Sequence, residues 1–210
     1  MIAPEGWPFV VGPLCLGGVL LLLDLPYLGW PLIVAGAFGL YFFRNPTRRC
    51  TADPEIASSP ADGRIITVGA SPASIAELGL PQQVSIFMSV FDVHVNRAPI
   101  AGRLVDYSYS PGRKFSAFKE KASLANEQNL SLWEGSNGRI ALKQIAGLIA
   151  RRIVFDHAPG AEVERGDRIG LIRYGSRVDV FLPADAEVLV TRGEKARAGQ
   201  TPLCRLRKAQ

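Results

Sequence analysis

Residues 9–43 form an apolar run of 35 residues interrupted by one charged side chain, Asp24. A water-soluble domain rarely carries so long an apolar stretch at its N-terminus, whereas a bilayer core takes about 20 helical residues to cross. The segment therefore reads as membrane-embedded. A cleaved signal peptide fits poorly, because no basic residue precedes the run and no small-residue cleavage site with a polar start follows it. Asp24-Leu25-Pro26 divides the run into residues 9–23, which are short for a span, and residues 25–43, which are long enough. A tilted helical hairpin, a re-entrant hairpin in one leaflet, and one span preceded by an interfacial segment all fit this pattern. The bland alternative is a buried core hairpin of a soluble protein.

Charge separates this segment from the rest. Residues 1–43 hold only Glu5 and Asp24, so the net +5 of the 210-residue chain divides into −2 there and +7 over residues 44–210. We read residues 1–43 as a hydrophobic anchor and residues 44–210 as one catalytic-sized domain. Arg44, Arg48 and Arg49 put that domain on the cytoplasmic side of a cell membrane. A basic body beside anionic lipid needs no nucleic acid to explain it, and no nucleic-acid motif is present. Cys15, Cys50 and Cys204 are odd in number and lack metal-ligand spacing, which argues against a disulfide framework and against a metal site.

The body reads as mainly β, a barrel or sandwich with few short helices, preceded by a hydrophobic helical hairpin. Pro46, Pro54, Pro60 and Pro72 exclude a long helix over 44–82 and leave one short strand at 64–68. Strands are expected at 83–91, 104–109, 139–146, 148–155, 168–174, 178–182 and 188–192 from their β-branched and aromatic content. Residues 111–137, rich in Lys, Glu, Ser and Asn, read as a long loop. Gly166-Asp167 and Gly193-Glu194 read as the turns of two similar hairpins.

Only two histidines are present. His94 follows a buried-type strand, while His157, in Asp156-His157-Ala158-Pro159-Gly160, reads as a structural turn residue. Asp62-Gly63 taken alone is a turn that opens a strand. Gly175-Ser176 reads as a kink between strands, yet Gly before Ser is also what a backbone-cleaving serine needs. Only Gly readily tolerates the backbone that brings Oγ onto the preceding carbonyl carbon. Asp62, His94 and Ser176 have the residue types of an orienter, a base and a nucleophile, a combination that most chains contain by chance.

The motifs taken together are more specific. Phe43-Arg44-Asn45-Pro46, Ser59-Pro60-Ala61-Asp62-Gly63, Phe87-Met88-Ser89-Val90-Phe91-Asp92-Val93-His94-Val95-Asn96-Arg97, Lys121-Ala122-Ser123 with Asn126-Glu127, Ile149-Ala150-Arg151-Arg152-Ile153, and Gly166-Asp167-Arg168 through Gly175-Ser176-Arg177-Val178-Asp179 occur in order. They resemble the short bacterial and archaeal form of the pyruvoyl-dependent phosphatidylserine decarboxylase family.

The resemblance implies self-cleavage. Ser176 Oγ attacks the Gly175 carbonyl, and β-elimination leaves a β chain of residues 1–175 and an α chain of residues 176–210. The new N-terminus becomes a pyruvoyl group, a covalent cofactor derived from Ser176. By the family pattern Asp62 orients His94, and His94 activates Ser176. The mature enzyme then converts phosphatidylserine in the membrane to phosphatidylethanolamine and carbon dioxide, the ketone taking up the electrons left behind. Arg97, Arg113, Lys114, Lys119 and Lys121 are candidates to hold the lipid phosphate or carboxylate, with a solvated basic loop as the alternative. The partners implied are the lipid and the two chains of one precursor as a heterodimer, and a higher oligomer is compatible with this. One departure stands out: the longer form of the family has a second histidine three positions after the first, where this chain has Arg97. Archaetidylserine as substrate, a membrane-tethered Ser/His/Asp hydrolase that never cleaves itself, and a non-enzymatic β module are the competing readings.

Overall fold

The computed structural model describes residues 1–50, 53–112, 126–147 and 152–207. They divide into two compact units, Met1–Thr47 and Arg48–Gln210. In the first, a 3-10 turn at Pro4–Gly6 leads into α1 (Trp7–Leu22), and α2 (Pro26–Phe42) follows after two residues and Leu25. Asp24, with φ of 60°, makes the reversal. The helices pack closely because glycines face each other: a Cβ on Gly17 would lie 2.9 Å from the Gly29 carbonyl oxygen. The unit extends past Phe43 because the Asn45 N–H donates to the Met1 carbonyl and Arg44 bridges to Ile2.

The span assignment differs from the sequence expectation. Pro4–Leu22, at 19 residues, is long and apolar enough to cross a membrane, whereas Pro26–Phe42 is shorter. The reason is local. Pro4 and Pro8 sit in first turns, where a missing N–H costs nothing, so the first helix begins upstream of Phe9. Pro26 delays the second helix, and it ends at Phe42.

The second unit is mainly β. Its strands run β1 (Ile56–Ser58), β2 (Gly63–Ala70), β3 (Gln82–Met88), β4 (Val95–Arg97), β5 (Gly102–Ser110), β6 (Gln128–Gly135) and β7 (Gly138–Ala146). They continue with β8 (Ile153–Phe155), β9 (Glu162–Val163), β10 (Arg168–Ile172), β11 (Ser176–Leu182), β12 (Glu187–Val188), β13 (Lys195–Ala196) and β14 (Pro202–Arg205). One helical turn, α3 (Ala73–Ala76), lies between β2 and β3. An antiparallel sheet in the order β13-β2-β3-β11-β7-β6-β5-β9 is accompanied by two three-stranded sheets, β4-β10-β8 and β1-β14-β12. The main core packs between these sheets and includes Ile65, Ile86, Trp133, Leu142, Val178 and Leu203. A second cluster of Ile75, Leu80, Ala141 and Phe181 covers the outer face of the large sheet.

That second cluster explains why β6 escapes the expectation of a loop at 111–137. Its Leu130 and Leu132 pack in the outer cluster, while Asn129, Ser131 and Trp133 point inward and are fully buried. Burial on both faces erases the apolar-in, polar-out alternation that marks a strand in sequence. The two Gly-acidic turns also differ from expectation. Gly166-Asp167 joins β9 to β10 and Gly193-Glu194 joins β12 to β13, but in neither case do the flanking strands pair with each other. Both turns move the chain from one sheet to another.

Candidate functional site

β11 lies at the centre of the large sheet, with Ser176 opposite Met88 of β3 on one side and Ala146 of β7 on the other. Strand alternation sends Ser176, Val178 and Val180 into the core and Arg177, Asp179 and Phe181 to the outer face. The outer face is pinned by a buried ion pair. Arg177 Nε donates to Asp179 Oδ1 at 2.5 Å and its Nη2 to Ser85 Oγ at 3.0 Å. Burial lowers the neighbouring Lys143 ammonium below its ordinary value, with the Asp179 carboxylate opposing.

The chain enters β11 from β10 through Arg173-Tyr174-Gly175. Tyr174 has φ of 58° and Gly175 φ of 65°. Left-handed backbone is routine for Gly and costs other residues about 1–2 kcal/mol, so this turn is held by its surroundings. Burial also pushes the Tyr174 hydroxyl up, with Arg173 opposing. The turn passes the chain from the β4-β10-β8 sheet to the large sheet at the peptide bond between Gly175 and Ser176.

His94 lies directly over this turn. The Ile172 N–H donates to the His94 carbonyl, which fastens the histidine to the end of β10. The Gly175 N–H donates to His94 Nε2 at 3.2 Å, and His94 Nδ1 lies 3.0 Å from the Asp92 carbonyl oxygen. A ring that accepts at Nε2 carries its proton on Nδ1, so the carbonyl of Asp92 fixes the tautomer. The Asp92 carboxylate in turn receives the Ser89 N–H at 2.8 Å and the Ser89 hydroxyl at 2.7 Å. Ser176 is fully buried, and its Oγ has no hydrogen-bond partner among the described residues.

Asp62 occupies a different position from the expected one. Its Oδ2 accepts from Arg48 Nη2 at 2.8 Å and its Oδ1 from the Ala198 N–H at 2.7 Å. The orienting acceptor on His94 Nδ1 is therefore the Asp92 main chain, two residues before the histidine, rather than the Asp62 carboxylate. Side-chain motifs give no signal for a main-chain acceptor of this kind. Arg97 alternates away from Asn96 on β4; its Nη1 donates to the Gly166 carbonyl at 2.8 Å. Burial, with Arg48 beside it, lowers the Arg97 guanidinium, while Cys50, Asp62 and Asp167 oppose. Arg113, Lys114, Lys119 and Lys121 lie outside the described residues. His157 is structural: its Nε2 faces the Arg168 carbonyl at 3.1 Å, and its ring meets Trp133 and Phe155 edge-on.

Three buried carboxamides near Ser176 escaped the sequence reading. Asn96 Oδ1 accepts from Gln144 Nε2 at 2.7 Å, and Asn96 Nδ2 lies 3.7 Å from Met88 Sδ. Asn129 pairs with Gln144 across β6 and β7. Gln144 Oε1 and both amide atoms of Asn129 are buried without partners among the described residues. Farther along the 89–94 loop, a cavity of about 480 Å³ has an apolar lining of Ile66, Phe87 and Phe91, with Arg64 and Lys195 also on its wall and Ser89 and Asp92 contributing polar groups.

Comparison with known proteins fits this arrangement. The phosphatidylserine decarboxylase family model matches residues 35–204. The chain is 48% identical to a phosphatidylserine decarboxylase proenzyme of Trichlorobacter lovleyi, over 98% of this chain and 97% of that protein. It is 47% identical to the corresponding proenzyme of Beijerinckia indica, over 96% and 88% of the two chains, and 44% identical to that of Geotalea daltonii, over 96% and 95%. With a matched region that contains the turn at Gly175-Ser176, the imidazole above it and both chain segments that flank them, this protein belongs to the phosphatidylserine decarboxylase family of carboxy-lyases.

Proposed function

We propose that this chain is a proenzyme that cleaves itself between Gly175 and Ser176 and then decarboxylates phosphatidylserine to phosphatidylethanolamine at a membrane surface. The observation that carries the reading is the bond from Gly175 N–H to His94 Nε2, which sets a neutral imidazole one residue from a buried hydroxyl that has no partner among the described residues. Ser176 Oγ attacks the Gly175 carbonyl carbon and passes its proton to His94. His94 returns that proton to the Ser176 nitrogen, so the peptide bond breaks to a free amine as the ester forms. Loss of the Ser176 α-proton then expels the Gly175 carboxylate, leaving a dehydrated residue 176 whose hydrolysis consumes one water and releases ammonia.

The residues at this place fit a pyruvoyl group. Ser176 supplies the carbon skeleton, its Oγ has no competing partner among the described residues, and the adjacent Arg177 points to the outer side of the sheet. That group supplies an electron sink for the pair released when carbon dioxide departs. The rest of the work falls to side chains. His94, held by Asp92, is placed to move protons at residue 176, and the 480 Å³ cavity beside the 89–94 loop offers apolar and cationic walls to the glycerophosphate part of a lipid.

The two product chains would stay together through shared β structure. Residues 176–210 contribute β11 to the middle of the large sheet, where it pairs with β3 and β7, and also β12, β13 and β14. Asp62 acts as a clasp here, tying Arg48 of one product chain to the Ala198 N–H of the other. The apolar N-terminal segment, with the helix Pro4–Leu22 long enough to span, anchors the protein in the cell membrane, and Arg44, Arg48 and Arg49 after the second helix put the β unit on the cytoplasmic side.

Intact-mass analysis of the purified chain tests the reading. Two fragments split after Gly175 are expected, the smaller blocked to N-terminal sequencing and mass-shifted by borohydride. Ser176→Ala should remain one chain without decarboxylase activity. A wild-type preparation that is active as a single full-length chain with an unmodified Ser176 would sink it.

A further inference from the structure

We propose that the carboxamides of Asn96, Gln144 and Asn129 form the pocket that receives the amino-acid head group of the lipid, with amide N–H groups holding its carboxylate. This rests on the decarboxylase reading and specifies which residues of the same site recognise the group that leaves.

Position is the first argument. His94 and Asn96 are two residues apart on an extended segment and share a face, so the side that carries the imidazole also carries the amide. Asn96 touches Met88 of β3 and Gln144 of β7, the two strands on either side of β11. Its carboxamide therefore bridges the start of β11, over Ser176. Gln144 is the diagonal neighbour of Ser176 across the β7 ladder, a separation of about 7–8 Å that a long side chain covers. Asn129 stands directly opposite Gln144 on the next strand.

Unspent hydrogen-bonding capacity is the second. Asn96 and Asn129 are fully buried and Gln144 is 1% exposed. Among the described residues, Gln144 Oε1, Asn129 Oδ1 and Asn129 Nδ2 have no partner, and Asn96 Nδ2 meets a thioether, a weak acceptor. Buried amides are almost always satisfied, and leaving several unsatisfied in one place destabilises a core. The spare donors, Asn129 Nδ2 and the Asn96 Nδ2 that meets a thioether, are the complement of a carboxylate.

Chemistry is the third. A carboxylate held by a guanidinium would enjoy charge-assisted bonds in the ground state that disappear as it turns into neutral carbon dioxide, which raises the barrier. Neutral amides orient the group with weaker bonds and a smaller loss. The two arginines nearest in sequence fit this division: Arg177 is held on the outer face by Asp179 and Ser85, and Arg97 alternates away toward Gly166.

The test uses the full chain in detergent micelles with two lipids, phosphatidylserine and phosphatidylethanolamine, which share the amine and differ by the carboxylate. Covalent capture of each lipid on residues 176–210 by borohydride is followed by mass, alongside intact-mass proof of cleavage. Asn129→Leu and Asn96→Leu are expected to be split like the wild type, to capture phosphatidylethanolamine at an unchanged rate, and to capture phosphatidylserine about tenfold more slowly. A lowered ratio in either variant supports the proposal. Asn129→Leu should also raise the melting midpoint by about 3–8 °C, because it removes two unsatisfied buried atoms from a site kept for function rather than stability. An unchanged ratio in both variants, or an equal loss on both lipids, overturns the proposal. A wild-type chain that captures neither lipid refutes the decarboxylase reading itself and is distinguished before any variant is compared.

Discussion

Replacing Gly175 by Ala isolates the contribution of the left-handed turn to the proposed self-cleavage. A Cβ built on Gly175 meets nothing within 4 Å, so the substitution introduces no clash, and its cost arises from the backbone alone. At φ of 65° that cost is about 1–2 kcal/mol for an L-residue with a side chain. If the turn is the conformation that presents the Gly175 carbonyl to Ser176, the fraction of chains holding it falls by the same free energy. At about 1.4 kcal/mol per factor of ten, this is a decrease of about 5- to 30-fold in the cleavage rate. The assay is a pulse of labelled amino acids in cell-free synthesis with micelles, a chase, and quantification of the fragment of residues 176–210 over time. Ser176→Ala supplies the uncut control. A rate within twofold of wild type would show that cleavage does not pass through the left-handed turn. Complete loss of cleavage, more than about a thousandfold, would show that the Cβ blocks something in the reacting geometry that the resting structure leaves open. Either result refutes the conformational account.

Further predictions concern the frame around the site. Asp179→Ala leaves Arg177 buried and unpaired, where the side chains are 5% and 2% exposed, and should cost about 3–5 kcal/mol, lowering the melting midpoint by about 6–20 °C. The double variant Arg177→Met with Asp179→Leu should recover most of that loss, and a melt in which the single variant loses under about 1 kcal/mol would contradict the pairing. Asp62→Ala should lower the urea concentration at which residues 176–210 separate from residues 1–175 after cleavage, measured by co-purification; an unchanged midpoint would remove its role as a clasp. Burial pushes the Cys204 thiol up to about 12 from 9.0, so iodoacetamide at pH 8 should reach Cys204 only after denaturation. The folded state binds this proton more tightly than the unfolded state, so its contribution to stability is complete below about pH 9 and is lost as pH rises toward about 12. A flat denaturation midpoint over that window in wild type, alongside Cys204→Ala as reference, would contradict it.

Much of this protein was legible from residue order because the relevant signals are local. The apolar run and its Asp24-Leu25-Pro26 break follow from backbone chemistry within a few residues, as do the strands expected at 64–68, 83–91 and 139–146, found at 63–70, 82–88 and 138–146, and the Gly before Ser176. The ordered motifs sufficed to indicate the family. What only the tertiary structure decided depends on partners far apart in sequence. β6 is a strand because its polar Asn129 and Ser131 face a core built by other sheets while its leucines pack on the outer cluster, and a single strand carries no record of being buried on both sides. His94 is oriented by a peptide carbonyl, which has no residue-type signature, and Asp62 is drawn to Ala198 by a contact across 136 positions. The Gly-acidic turns look alike in sequence, but the sheet each following strand joins is set by long-range hydrogen bonding, which sequence periodicity does not encode. The turn at Gly175-Ser176 is the sharpest case. Gly175-Ser176 is visible as a pair of letters, but its place at the passage between two sheets, beneath an imidazole and beside three buried amides, exists only once strands from both ends of the unit have closed around it.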